Sequence, residues 1–173
     1  MAEALDILKY TIPSLVVFIT VVFVMRSMIR SAERNRNIEL NMEAQKTVLP
    51  IRLQAYERTI ILLERISPEA IIMRVSQGNK KSKEYRAEML SAIKSEFEHN
   101  LSQQLYMSRE AWEAVKAARA NITNLINNAA QQVKADASAL ALSNKIIEIM
   151  MELTTAPNTA AIDLVRKEAQ QFF

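Results

Sequence analysis

The apolar residues of this chain change pattern twice. From Tyr10 to Met25 no residue is charged, and Val, Ile, Phe and Leu fall on every side of a helical wheel. From Arg26 to Leu49 only a thin stripe through Met28, Ala32, Met42 and Leu49 remains, and beyond Pro50 apolar residues return at three-four spacing. A helix apolar all round needs apolar surroundings, a thin stripe tolerates water, and a broad one-sided stripe has to be buried against neighbours. The pattern predicts an all-α chain in three parts: a transmembrane anchor over 1–30, a helical neck over 31–49 and a bundle of about five helices over 50–173.

The anchor is slightly short of the ~20 residues that usually cross a bilayer. Leu5, Ile7 and Leu8 before it and Met28 and Ile29 after it lengthen its apolar surface, while Lys9 and Arg26 reach toward the interfaces. A cleaved signal peptide would start with a positive region and end in a small-x-small site. This chain starts with Glu3 and Asp6, and its apolar run ends in Met25 and Arg26. Pro13 lacks the amide needed by the preceding turn and is expected to bend the helix. Arg26, Arg30, Arg34 and Arg36 follow the run against Glu33 alone, so the positive-inside rule places the N-terminus outside and the remainder in the cytoplasm. A neck that stays helical to Pro50 reaches about 35 Å from the membrane. Its thin stripe also suits one side of a dimeric coiled coil, although Asn35 and Glu39 interrupt the seam, so a homodimer is one expected assembly.

Pro50 suits the first turn of a new helix, with Thr47 as its cap, and Leu53, Tyr56, Ile60 and Leu63 mark its inward face. Ser67-Pro68-Glu69 reads as N-cap, N1 and N2 of a short helix. "SQGNKKSK" holds the only Gly and is a loop, after which Ser82 is placed to cap a helix with the stripe Tyr85, Met89, Ile93, Phe97, Leu101 and Leu105. Ser108 caps the next, with Trp112, Val115, Ile122, Leu125, Ala129 and Val133 inward; Asp136 or Ser138 opens another. Pro157-Asn158 precedes the last, carrying Ile162, Val165, Ala169 and Phe172.

Composition narrows the chemistry. One Gly in 173 residues leaves few hairpin turns, and a net charge of +3 gives little support to nucleic-acid binding. With no Cys there is no disulfide, no thiolate nucleophile and no thiolate metal site, which suits a reducing compartment.

Three stretches, "VLPIRLQAYERTIILLERISP", "EFEHNLSQQLYMS" and the nearby "AW", together with the anchor, resemble a family of short bacterial single-pass proteins known only as a domain of unknown function. The resemblance spans nearly the whole chain and implies a bacterial inner-membrane setting. It transfers no activity or cofactor to any residue. A likeness to the membrane-anchored stalk of rotary ATP synthases rests on length and anchor alone; that stalk is one long, highly charged helix, whereas Pro50, Pro68 and Pro157 are expected to divide this chain, of which 24% is charged.

Glu96-x-x-His99 places a carboxylate and an imidazole on one helix face, as in di-iron bundles. Such a site normally uses the motif twice, this chain has a single His, and His99 points away from the Phe97 stripe. No catalytic residue, cofactor or metal is therefore expected. Glu96, Asn100 and Gln104 lie on the flank of that stripe, and Arg52, Arg58 and Arg65 sit on a densely apolar helix, so the six form a candidate polar seam fixing helix register. The second reading of that seam is a groove for a partner's peptide or an acidic ligand. Lys80, Lys81 and Lys83 make a basic loop that, with Arg26 and Arg30, is a candidate contact for anionic lipid. Met150 and Met151 read as core filler.

These features add up to a membrane-anchored scaffold, adaptor or accessory subunit of an inner-membrane complex, touching lipid through residues 10–25 and a protein partner through its bundle. The alternatives are a tethered enzyme or metal-binding bundle using Glu96 and His99, and a lipid-surface sensor.

Overall fold

The computed structural model describes the backbone of residues 2–172 and the side chains of residues 15–172 apart from 37, 40, 41 and 44. The described residues form six α-helices, two short 3-10 segments and no strand. The α-helices are α1 (Ala2–Arg65), α2 (Pro68–Arg74), α3 (Ser82–His99), α4 (Arg109–Gln131), α5 (Ala139–Glu152) and α6 (Thr159–Ala169). They divide into two compact units, Met1–Val48 and Leu49–Phe173.

The first unit is the larger part of α1. Its stretch Leu15–Arg36, with mean hydropathy 1.9, is long and apolar enough to cross a membrane. Phe18 is 67% exposed and Phe23 73%, a cylinder of apolar surface that in water would be costly. The Thr20 hydroxyl donates to the Val16 carbonyl at 2.8 Å, so this polar group is satisfied inside the helix. The bend expected at Pro13 and the reach of Lys9 fall on residues outside the described side chains.

The helix break expected at Pro50 does not occur. α1 runs on to Arg65, and Thr47, read as a cap, instead donates its hydroxyl to the Glu43 carbonyl at 3.2 Å. Pro50 has no N–H for the Lys46 carbonyl, but Lys46 and Pro50 are both exposed, so water can take the donor's place.

In the second unit the final turns of α1 become one-sided. Leu62, Leu63 and Ile66 are fully buried in one core with Tyr85, Met89, Ile93, Trp112, Ile122 and Ile146. α4 packs against α3, α5 and α6. Its cap is Ser108, whose Oγ accepts from the Ala111 amide at 3.1 Å, and its Trp112 ring lies 5.4 Å from that of Phe97. Ser67 caps α2, with Pro68 as its first residue, and Ser138 rather than Asp136 caps α5. Asn158, buried, donates from Nδ2 to the Leu63 carbonyl at 3.1 Å. It thereby satisfies one of the carbonyls left open at the C-terminal end of α1.

Three further expectations need correcting. Ser82 is the buried first residue of α3 rather than its cap; the Glu84 carboxylate accepts from the Lys81 amide at 3.2 Å. The apolar stripe of α3 stops at Phe97, because the Asn100 side chain donates to the Glu96 carbonyl at 2.9 Å and ends the helix. Leu101 and Leu105 then lie in a 3-10 segment, 44% and 78% exposed. Met151 is 83% exposed, not core filler, because it is on the outer face of α5.

Candidate functional site

The expected polar seam is real only in part. Arg65 Nε lies 2.8 Å from one carboxylate oxygen of Glu96, and Arg74 Nη1, which the sequence reading did not include, lies 3.2 Å from the other. Asn100 joins them through its bond to the Glu96 backbone. Arg58 and Gln104 are exposed, and Arg52 belongs to a different cluster. His99 is exposed, and Glu96, its expected companion in a metal site, is already spanned by two guanidinium groups. Among the described residues no three His, Asp or Glu side chains converge where they could hold a metal ion.

The cluster around Arg52 was not anticipated. Tyr56 on α1 donates its hydroxyl to Glu168 Oε1 at 2.7 Å, while Ser108, at the start of α4, donates its amide to Oε1 at 2.7 Å and its hydroxyl to Oε2 at 2.6 Å. Arg52 donates from Nε to the Tyr106 carbonyl at 3.2 Å, and its guanidinium stacks 4.3 Å above the Phe172 ring. Burial alone would raise the Glu168 pKa. The Ser108 hydroxyl, the Tyr56 hydroxyl, the Ser108 amide and the Arg52 charge outweigh it and hold the carboxyl below the ordinary glutamate value. For Tyr56 burial and the bond to Glu168 push the phenol above its ordinary value. A serine beside a carboxylate invites a nucleophilic reading, but a carboxylate with lowered pKa is a weak base, and the Ser108 hydroxyl is already committed as cap and donor. This arrangement clamps α6 to α1 and α4. Its one sequence-level signal was Ser108 as a cap; Glu168, 60 residues away along the chain, has none.

The basic loop is likewise engaged. Gly78 takes φ +43, the left-handed conformation that glycine adopts without a Cβ penalty. The Ser82 amide bonds the Ala137 carbonyl at 2.8 Å, and the Ala139 amide bonds the Lys80 carbonyl at 3.0 Å, fastening the loop to the α4–α5 connection. Lys80 forms an ion pair with Glu88; Lys81 and Lys83 remain exposed.

A concavity of about 540 Å³ lies between α4 and the segment joining α5 to α6. Asn121, Asn124 and Asn128, one to two helical turns apart, form one wall. Leu125, Ile149 and Leu153 supply apolar lining, and Thr155, Ala156, Pro157 and Ala160 close the other side. Every lining residue is uncharged, in a chain of which 24% is charged. The amides offer donors and acceptors along an apolar cleft, which is the pairing that an extended peptide backbone with apolar side chains requires.

The model of one protein family matches residues 2–172, a range that takes in the apolar stretch, both carboxylate clusters and the groove. The chain belongs to DUF7935, a family of unknown function. The resemblance carried by the three sequence stretches is thus a family relationship, and in DUF7935 the apolar helix and the bundle fall within a single family unit. No curated protein and no solved structure matches the chain.

Proposed function

We propose that this protein is a membrane-anchored adaptor, an accessory subunit of a bacterial inner-membrane complex, whose cytoplasmic bundle holds an extended, uncharged peptide segment of a partner protein. The observation that carries this reading is the groove. It combines an amide wall with apolar lining and no charged group, chemistry suited to gripping a neutral peptide rather than to proton transfer or nucleophilic attack. The apolar stretch Leu15–Arg36 supports the anchor, and the arginines after Met25 support a cytoplasmic bundle by the positive-inside rule. Confinement to the membrane plane raises the effective concentration of the adaptor near a membrane partner.

A photocrosslinking residue placed at Asn124 of the full-length protein tests this in cells. It should give one discrete adduct, absent when the crosslinker is placed at the exposed Asn144 of α5. Ala160→Arg, which puts bulk and charge into the groove from an exposed position, should abolish the adduct while leaving the melting temperature unchanged. An adduct that persists in the Ala160→Arg variant, or one equally strong from Asn144, would remove the groove from the reading.

A further inference from the structure

Immediately after the apolar run, α1 carries a one-sided basic ridge. Phe23, Arg26, Ser27, Arg30, Ser31 and Arg34 line a single side of the helix, while Met28 and Ile29 project elsewhere around it, 68% and 54% exposed. Arg26, Arg30 and Arg34 recur every four residues, so they rise over about 12 Å along the axis. A bilayer of 40–45 Å with a hydrocarbon core of about 30 Å leaves a headgroup layer of roughly 5–7 Å on each side. With Met25 as the last residue of the uncharged run, Arg26 falls in that layer, Arg30 at its outer edge, and Arg34 roughly 6 Å beyond it, from where its long side chain can reach back. Among the described residues none of the three forms an ion pair. Glu33, the nearest acid in sequence, borders Arg26 on that side without lining the ridge, and leaves the three arginines in excess.

We infer that this ridge is a binding site for the phosphate of an anionic phospholipid headgroup. Guanidinium groups engage phosphate oxygens bidentately, and two flanking hydroxyls add single donors. The apolar stretch selects a membrane lipid over a soluble phosphate, because it holds the Arg26 and Arg30 end of the ridge where lipid phosphates lie and leaves Phe23 against the acyl chains. A general positive charge would need no particular side of the helix; here three arginines share one side and Arg36 lies on another. The inference rests on the membrane reading of Leu15–Arg36 and adds a ligand to it.

The test uses the full-length protein in nanodiscs of equal phosphatidylcholine and phosphatidylglycerol, with retained lipid counted by native mass spectrometry. The wild type should keep phosphatidylglycerol preferentially. Each ridge arginine is expected to contribute about fivefold to that preference and the three together about 100-fold. Arg30→Gln should therefore lower it, the triple variant Arg26→Gln/Arg30→Gln/Arg34→Gln should abolish it, and Arg36→Gln should leave it unchanged. Equal losses from Arg30→Gln and Arg36→Gln would overturn the site in favour of diffuse charge. Stripping of the lipid by added inorganic phosphate would reassign the ridge to a soluble anion. A protein that enters the discs without lipid preference defeats this site alone, whereas one that fails to enter them defeats the membrane reading and the site with it.

Discussion

α1 is one helix with two kinds of surface. Phe18 and Phe23 are 67% and 73% exposed and most of their apolar neighbours about half exposed, whereas Leu62 and Leu63, with Ile66 just past the helix end, are fully buried. The residue types are alike, and what differs is their distribution: apolar all round in the first stretch, one-sided in the second. Helical structure therefore says little about surroundings, while the arc of the wheel that is apolar says much. The first stretch is long and apolar enough to cross a membrane, and the second is buried against neighbouring helices.

The largest effect separates these ends directly. Leu63→Ala should destabilise the bundle by about 2–5 kcal/mol, the range for truncating a fully buried leucine, read as a fall in the denaturant midpoint of far-UV circular dichroism. Phe18→Ala should leave that midpoint where it was and change only resistance to alkaline extraction from membranes. A large loss of bundle stability from Phe18→Ala would mean that the first stretch is covered by protein and that the contrast is false.

How much of this could be read beforehand follows from the same distinction. Periodicity exposes whatever a helix repeats along its own axis, so the all-α class, the long apolar N-terminal helix and the inward faces around Tyr85, Met89 and Trp112 were legible. Caps of the Ser-Pro-Glu kind are local and were legible too. Pro50 misled because a proline inside a helix costs about 3 kcal/mol without having to end it, and the carbonyl it orphans here, that of Lys46, lies on an exposed residue. Asn100 misled because its side chain competes with the backbone only once the helix has formed. The Glu168 cluster was hidden for a different reason: Tyr56, Ser108 and Glu168 come from three elements, and no spacing within any one of them announces the meeting. Of the six seam residues, Arg65, Glu96 and Asn100 come together and Arg52, Arg58 and Gln104 do not.

An intermediate effect comes from that cluster. The folded-state pKa of Glu168 lies below its unfolded value, so its contribution is fully present above the ordinary glutamate pKa of about 4.3 and is lost as the pH falls through the lower folded value. Glu168→Gln should cost about 1 kcal/mol at neutral pH, kept small by partial exposure. It should also flatten the dependence of stability on pH in the acid range, measured as denaturant midpoints from neutrality downward. A variant whose acid profile matches the wild type would show that α6 is held by Val165 and Ile162 alone, with no part for the carboxylate.

The smallest effect concerns His99, and its smallness is informative. A Glu-x-x-His pair binds metal only if the carboxylate is free to turn toward the ion and the imidazole faces the same space. Here Glu96 is held by Arg65 on α1 and Arg74 on α2 at 2.8 and 3.2 Å, and recruiting it would strand two cations, one of them substantially screened from water. His99 stands in solvent at the end of α3. His99→Ala should accordingly shift stability by less than about 0.5 kcal/mol, as for exposed positions without a special role, and the protein purified without chelator should carry no stoichiometric transition metal by elemental analysis. Glu96→Gln should cost more than His99→Ala, because it releases both arginines at once. The reverse order, or a metal equivalent that disappears with His99, would mean that Glu96 exchanges its arginines for an ion and that the bundle is a metal protein after all.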